Sequence, residues 1–425
     1  MLITVIALLG VALLVLVAVL TPWRPLGGAS VMSADPMRDF TPQQLAREDA
    51  YHAAVRPPGY ASLLLSLVVA LVLGLTPLGA RLVERVAAPL GGGWVWQVVL
   101  GALAVTLVGR LLVLPWDAWA ETVRRRYGLS TRSWGGWAVD VAKGYGIGLV
   151  FTLIVLLVVV GLARWSSQWW WALGATVGAG LVVVVSFAYP VVVEPVFNKF
   201  DPLPAGGLRT SLLALAEADG VPVEDVLVAD ASRRTSSLNA YVSGLGTTRR
   251  IVVYDTLLDS ASDREIELIV AHELGHVKNR DLALGTLMGA TAVALAVCAL
   301  ALLGRWGWLL DRASVPSLGD GRSVALTLAV LAVLGLLSGP AQSYVSRRIE
   351  TRADVHSLEL TNEPTAMIEM QKRLSVRNLS DLDPSPLVFG LFATHPTAPQ
   401  RTALARTWAR LNQVAVSSST VEAPP

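Results

Sequence analysis

Cysteine is almost absent from this chain. Its 425 residues include one, Cys298, set inside an apolar block. No intrachain disulfide can form, and a multi-cysteine zinc site is excluded. Lysine is nearly as scarce, with four against thirty arginines, a bias of the kind a GC-rich bacterial genome produces. Charged residues make up 16%, below the ~25% typical of soluble domains. Hydrophobic residues make up 53% and mean hydropathy is +0.56. The apolar residues come in long blocks, so the chain reads as a polytopic membrane protein rather than two or three soluble domains. The net charge of +2 says little, because arrangement matters more than the sum, and no nucleic-acid partner is expected.

The first block, Leu2 to Leu20, carries no charge and is long enough to span a bilayer. It has no basic segment before it and no clean small-residue cleavage site, so it reads as a retained helix. A polar segment follows, in which Thr41-Pro42-Gln43-Gln44 predicts a helix start and Pro57-Pro58 its end. Further blocks lie near 60–80, 94–116, 145–164, 169–193, 282–303 and 323–345, giving seven spans. Arg110 interrupts the third, where it should face a bundle interior or snorkel to an interface. With the N-terminus outside, 27 lysines and arginines fall inside and six outside, which sets the orientation. The extramembrane mass is then discontinuous and cytoplasmic. The expected division is 1–193 for spans one to five, 194–281 for a first protease part, 282–345 for spans six and seven, and 346–425 for a second part. Within the first part, 208–217 reads as a helix and 226–228 as a buried strand. Segments 237–245 and 250–254 read as a hairpin around Gly246-Thr247-Thr248. The tail VSSSTVEAPP has a disordered composition.

Histidine is rare too, five in all, yet two fall in His272-Glu273-Leu274-Gly275-His276. Ser262 and Glu265 have the spacing of a capping box, and Ile266, Ile269, Val270, Leu274 and Val277 recur at helical spacing. On such a helix His272 and His276 lie one turn apart on one face. Two imidazoles so placed can share a Zn²⁺, with Glu273 beside them to take a proton from a water. The bland alternative is a solvated helix with two chance histidines, and the scarcity of histidine argues against it. A catalytic zinc usually has three protein ligands. His52, His356 and His395 are the remaining imidazoles, and carboxylates abound. Glu350 is best placed, because the hairpin of spans six and seven brings it to the depth of His276. It could instead be a juxtamembrane charge paired with Arg347 or Arg348. Asp354, four residues on, could orient a ligand imidazole.

Several blocks resemble peptidase family M48, and within it the integral-membrane CAAX prenyl proteases. They are Ala271-His272-Glu273-Leu274-Gly275-His276, Ser346-Arg347-Arg348-Ile349-Glu350 with Ala353-Asp354, and Ser236-Ser237-Leu238-Asn239-Ala240-Tyr241 leading into Arg250-Ile251-Val252-Val253-Tyr254. Leu114-Pro115-Trp116 and Glu194-Pro195-Val196-Phe197-Asn198-Lys199-Phe200 also look like family signatures. The resemblance runs from about residue 100 to 405. It implies one zinc per chain on His272, His276 and Glu350, with Glu273 as general base. It implies that His395, in Thr394-His395-Pro396, supports the oxyanion and that Arg401 steadies the ligand carboxylate. Asn239, Ala240 and Tyr241 would lie on an edge strand that pairs with the substrate backbone. The implied fold is mainly α and polytopic: seven transmembrane helices enclose a chamber, with a discontinuous cytoplasmic α+β zinc-protease domain. The implied partners are membrane lipid and peptide or membrane-protein substrates, whether C-terminally lipidated or misfolded. The C-terminal part holds no separate prenyl-recognition motif.

Two rival readings exist. An intramembrane protease of the site-2 type also uses H-E-x-x-H, but Asp263, Arg264, Glu265, Glu267, Lys278 and Arg280 make this stretch too polar for a lipid-facing span. A non-catalytic scaffold or channel with a vestigial site is the other, and the intact motif residues argue against it.

The basic asymmetry makes a topological prediction. After Cys298 is replaced, a single cysteine at Asp311 should react with an impermeant reagent outside the cell. Cysteines placed within 262–281 should be spared, and the opposite pattern would invert the arrangement.

Overall fold

The computed structural model describes residues 1–244 and 246–417. From residue 418 on, the tail read as disordered lies outside the described residues. Among the described residues, seven helices are long and apolar enough to cross a membrane: Leu2–Leu20, Pro42–Gly74, Trp94–Arg126, Trp134–Trp165, Trp170–Phe197, Asp281–Leu303 and Gly321–Thr361. They are spans one to seven below. Much of their apolar surface faces outward, as at Leu14, Val19 and Leu337, which suits a lipid solvent.

The second span departs from its sequence reading. Thr41 caps it as expected, but the helix does not end at Pro57-Pro58 and runs unbroken to Gly74. Proline removes a backbone donor and usually stops a helix. Here the apolar stretch that follows is held against spans three and seven. In membrane helices, carbonyls freed by proline find other partners nearby. Spans three, five and seven likewise carry Pro115, Pro190 and Pro340. Arg110 is not solitary: its Nη1 donates to Asp117 Oδ2 at 2.6 Å, and Ser62 Oγ donates to Asp117 Oδ1 at 2.9 Å.

The extramembrane domain holds a four-stranded sheet of β1 (Phe200–Pro202), β2 (Asp225–Ala229), β3 (Ala240–Ser243) and β4 (Arg250–Tyr254). Its order is β1-β2-β4-β3, with β2 and β4 parallel and the other pairs antiparallel. The hairpin of β3 and β4 forms, but β3 is shorter than the 237–245 reading. Its approach is tied elsewhere, with Thr235 and Ser236 hydroxyls donating to the carbonyls of Leu129 and Gly128. One apolar core joins Leu212, Val226, Ile251 and Leu274 to Leu358 and Trp408, across the interruption of spans six and seven.

Two helices position the site. The first, Asp263–Lys278, starts at the Ser262–Glu265 capping box and buries Ile266, Leu268, Val270 and Leu274. The second, Val324–Thr361, is 38 residues long. At 1.5 Å per residue it measures about 57 Å, nearly twice the ~30 Å bilayer core, so its C-terminal half projects out of the membrane. A Cβ on Gly275 would lie 3.1 Å from His356, which is why the two helices can approach so closely there. Ser357 Oγ ties them by donating to the Leu268 carbonyl at 2.9 Å.

Candidate metal centre

The close helix pair brings three predicted groups together. His272 Nε2 and His276 Nε2 lie 3.2 Å apart. Glu350 reaches both, with Oε2 at 3.3 Å from His272 Nε2 and Oε1 at 3.6 Å from His276 Nε2. His272 and Glu350 are buried, and His276 is partly so. The alternative role for Glu350 finds no support, since neighbouring arginines are engaged elsewhere. Arg347 donates to the Phe389 and Ala393 carbonyls, and Arg348 to Tyr344 Oη.

The outer nitrogens of the histidines are each held by a carboxylate. Asp354 Oδ1 lies 2.9 Å from His272 Nδ1, and Asp354 is fully buried. Arg401 clamps Asp354 with both Nε and Nη2, so its direct partner is Asp354, whereas the sequence reading had it steadying the ligand carboxylate. The planar guanidinium fork matches a carboxylate edge-on, which favours this bidentate pairing. Asp281 Oδ2 lies 2.9 Å from His276 Nδ1, and Arg352 pairs with its other oxygen. Asp281 was not identified from sequence. It comes five residues after His276, and it folds back because Arg280 takes a left-handed conformation, φ 57°, between the two helices. A carboxylate at the junction of a motif helix and a span was the available signal. His395 Nε2 sits 3.5 Å from Glu350 Oε2, on the exposed side of the cluster.

The cluster is rich in carboxylates, with Glu350, Asp354 and Asp281 each within 4 Å of a histidine nitrogen. Burial lowers the proton affinity of His272, but hydrogen bonds to Asp354 and Glu350 outweigh it and raise the imidazole to about 10. Burial raises the Glu273 carboxyl, with His272 and His276 pulling it back. Carboxylates this buried call for a cation among them.

The family model described as peptidase family M48 matches residues 202–409. A second, described as the CAAX prenyl protease N-terminal region with five membrane helices, matches residues 35–199. The metalloprotease YhfN of Bacillus subtilis is 32% identical over 312 residues, 72% of each chain. The chain belongs to peptidase family M48. An Arabidopsis thaliana CAAX prenyl protease 1 homolog is 34% identical over 233 residues. That alignment spans about half of each of the two chains. The crystal structure of Ste24p from S. mikatae superposes with a TM-score of 0.76 at 20% identity, covering 95% of this chain and 98% of that one, and so shares its fold.

This M48 chain is therefore a membrane-embedded zinc metalloendopeptidase. The cluster fits the metal. Ligands about 2.0–2.1 Å from a tetrahedral zinc sit roughly 3.3 Å from one another, and the three groups here are 3.2, 3.3 and 3.6 Å apart. Beside them opens a cleft of about 1020 Å³, whose wall includes Glu273, His395, Asn239, Ala240 and Tyr241. A second, apolar cavity of about 750 Å³ lies among spans four to seven, at Val155, Val177, Val293 and Leu331. Tyr241 lines both, and its hydroxyl donates to Glu194 Oε2 at 3.1 Å.

Proposed function

We propose that this peptidase cleaves extended segments of membrane-associated chains at a zinc site held by His272, His276 and Glu350. The site would face the cytoplasm, with the N-terminus outside and the protease domain assembled from 194–281 and 346–425. The observation that carries this reading is the junction of metal cluster, cleft and strand edge within one wall. When bound, Zn²⁺ supplies Lewis acidity, polarising the scissile carbonyl and bringing a water toward a pKa of ~7. The Glu273 carboxylate, beside the two histidines, takes the water's proton and passes it to the leaving amine. His395, with Nε2 turned toward the cluster, donates to the developing oxyanion. Asp354, Arg401 and Asp281 hold the ring planes of the two histidines, so the cluster does not reorganise during turnover.

The strand edge supports an extended substrate. Among the described residues β3 pairs only with β4. The Tyr254 N–H donates to the Asn239 carbonyl, which marks 239 and 254 as a hydrogen-bonded pair. Alternation along an antiparallel ladder then turns the backbone groups of Ala240 and Val242 to the free edge. A peptide added there would be held by main-chain hydrogen bonds, which recognise backbone before sequence. Relatives are named CAAX prenyl proteases, and the apolar cavity that shares Tyr241 gives a lipidated or membrane-buried part of a substrate a place beside the cleft.

Glu273→Gln should keep zinc at its native stoichiometry while turnover falls by roughly 10²–10⁴-fold or more, the usual worth of a positioned base. Metal analysis beside a peptide-cleavage assay measures both, and native turnover in the variant would defeat the mechanism. Val242→Pro removes an edge donor without touching the β4 ladder, so KM should rise with zinc retained. Native KM and kcat in a folded, zinc-loaded Val242→Pro protein would remove the strand from substrate binding.

A further inference from the structure

A second cluster with the makings of a metal site lies on the same cleft, away from His272 and His276. Glu48 and His52 stand one turn apart on the extramembrane foot of span two, and Asp381 faces them from the segment after helix Pro364–Asn378. One ligand atom from each lies within 4.8 Å of the others. His52 Nε2 is 3.1 Å from Glu48 Oε1 and 2.9 Å from the Leu379 carbonyl oxygen. Neighbouring ligands of an octahedral cation at about 2.1 Å are roughly 3.0 Å apart, so these spacings match a shared ion.

An independent observation points into the cluster. Glu48 is 3% exposed. Yet its Oε1, the oxygen nearest His52, has no hydrogen-bond donor among the described residues. A neutral His52 has at most one proton on Nε2, and the Leu379 carbonyl is better placed to take it. A buried carboxylate oxygen without a partner is costly. The surrounding backbone is fixed. Leu379, at φ 48°, is buried against Tyr51 and Val123, and Leu382 is buried against Phe40 and Ala398. Arg56 pairs with Asp381 through Oδ2 and offsets one of the two negative charges, leaving one for a cation to balance.

We infer that Glu48, His52 and Asp381, with the Leu379 carbonyl, form a second divalent-cation site. One imidazole among three oxygen donors suits a first-row ion that accepts both, Mn²⁺ or Zn²⁺. The ion clasps the foot of span two to the segment that leads to His395. His52, Arg56 and Asp381 line the cleft that also holds His272 and Glu273. Occupancy therefore fixes this part of the cleft rim, next to Asn378, whose side chain bonds the Leu238 backbone just before β3.

The test uses full-length protein in detergent, stripped of metal, given one equivalent of Zn²⁺, and titrated with Mn²⁺. Binding is followed by the loss of the free-Mn²⁺ paramagnetic resonance signal. One Mn²⁺ per chain should bind and raise Tm. Glu48→Gln and Asp381→Asn should weaken that binding by about tenfold or more, since even residues outside the ligand set cost 10–100-fold when lost. Glu350→Ala, which alters the other cluster, should leave one site of wild-type affinity. The inference is overturned if neither Mn²⁺ nor further Zn²⁺ adds a second equivalent to the zinc-loaded wild type. It is equally overturned if Glu48→Gln and Asp381→Asn, with native thermal unfolding, bind that equivalent as the wild type does.

Discussion

The structure depends on the close contact between the helix of His272 and His276 and the outer half of the seventh helix. Glycine at 275 allows it, and the Ser357 hydroxyl on the Leu268 carbonyl fixes its register. Without that contact the histidines are a pair on a helix and Glu350 is a charge near a membrane surface. With it, three ligand atoms meet. The membrane enters the argument because the seventh helix leaves the bilayer without a break, so its packing among the spans sets the height of Glu350.

Electrostatics then favours a cation where the helices meet. The site collects Glu273, Glu350, Asp354 and Asp281 around two imidazoles, with Arg401 and Arg352 each engaged by an outer carboxylate. Low local dielectric makes such a set unstable unless protons or a metal balance it. The high proton affinity of His272 expresses this demand, because without a metal the proton occupies the position a dication would fill. The same principle applies at Glu48, where a buried oxygen lacks a donor.

Features written locally in the chain were legible from it. The capping box at Ser262, the helical spacing of the apolar face and the two-histidine motif all lie within one 16-residue helix and its cap. The seven spans follow from composition, and Glu350 could be reached by counting depth across a membrane hairpin. Other features depend on contacts between distant residues. A carboxylate at the helix–span junction hints at Asp281, but no local pattern states that Arg280 will turn the chain back over His276. The parallel pairing of β2 with β4 places β3 at the edge, and no local pattern states that order. Pro57-Pro58 looked like a stop because the local rule ignores spans three and seven, which hold the helix on course. Arg401 could be assigned to the site by resemblance, but its choice of Asp354 depends on the packing of the last helix, Ala398–Leu411.

One zinc site is completed by the outer half of the seventh helix, which the sixth span separates from the motif helix in sequence. Zinc K-edge X-ray absorption on wild-type protein loaded with a single equivalent of metal tests this most directly. The expected spectrum has a shell of nitrogen and oxygen at about 2.0–2.1 Å, with outer-shell scattering from two imidazoles and a carboxylate contribution that Glu350→Gln alters. A sulfur shell near ~2.3 Å, or scattering from one imidazole or three, would contradict it.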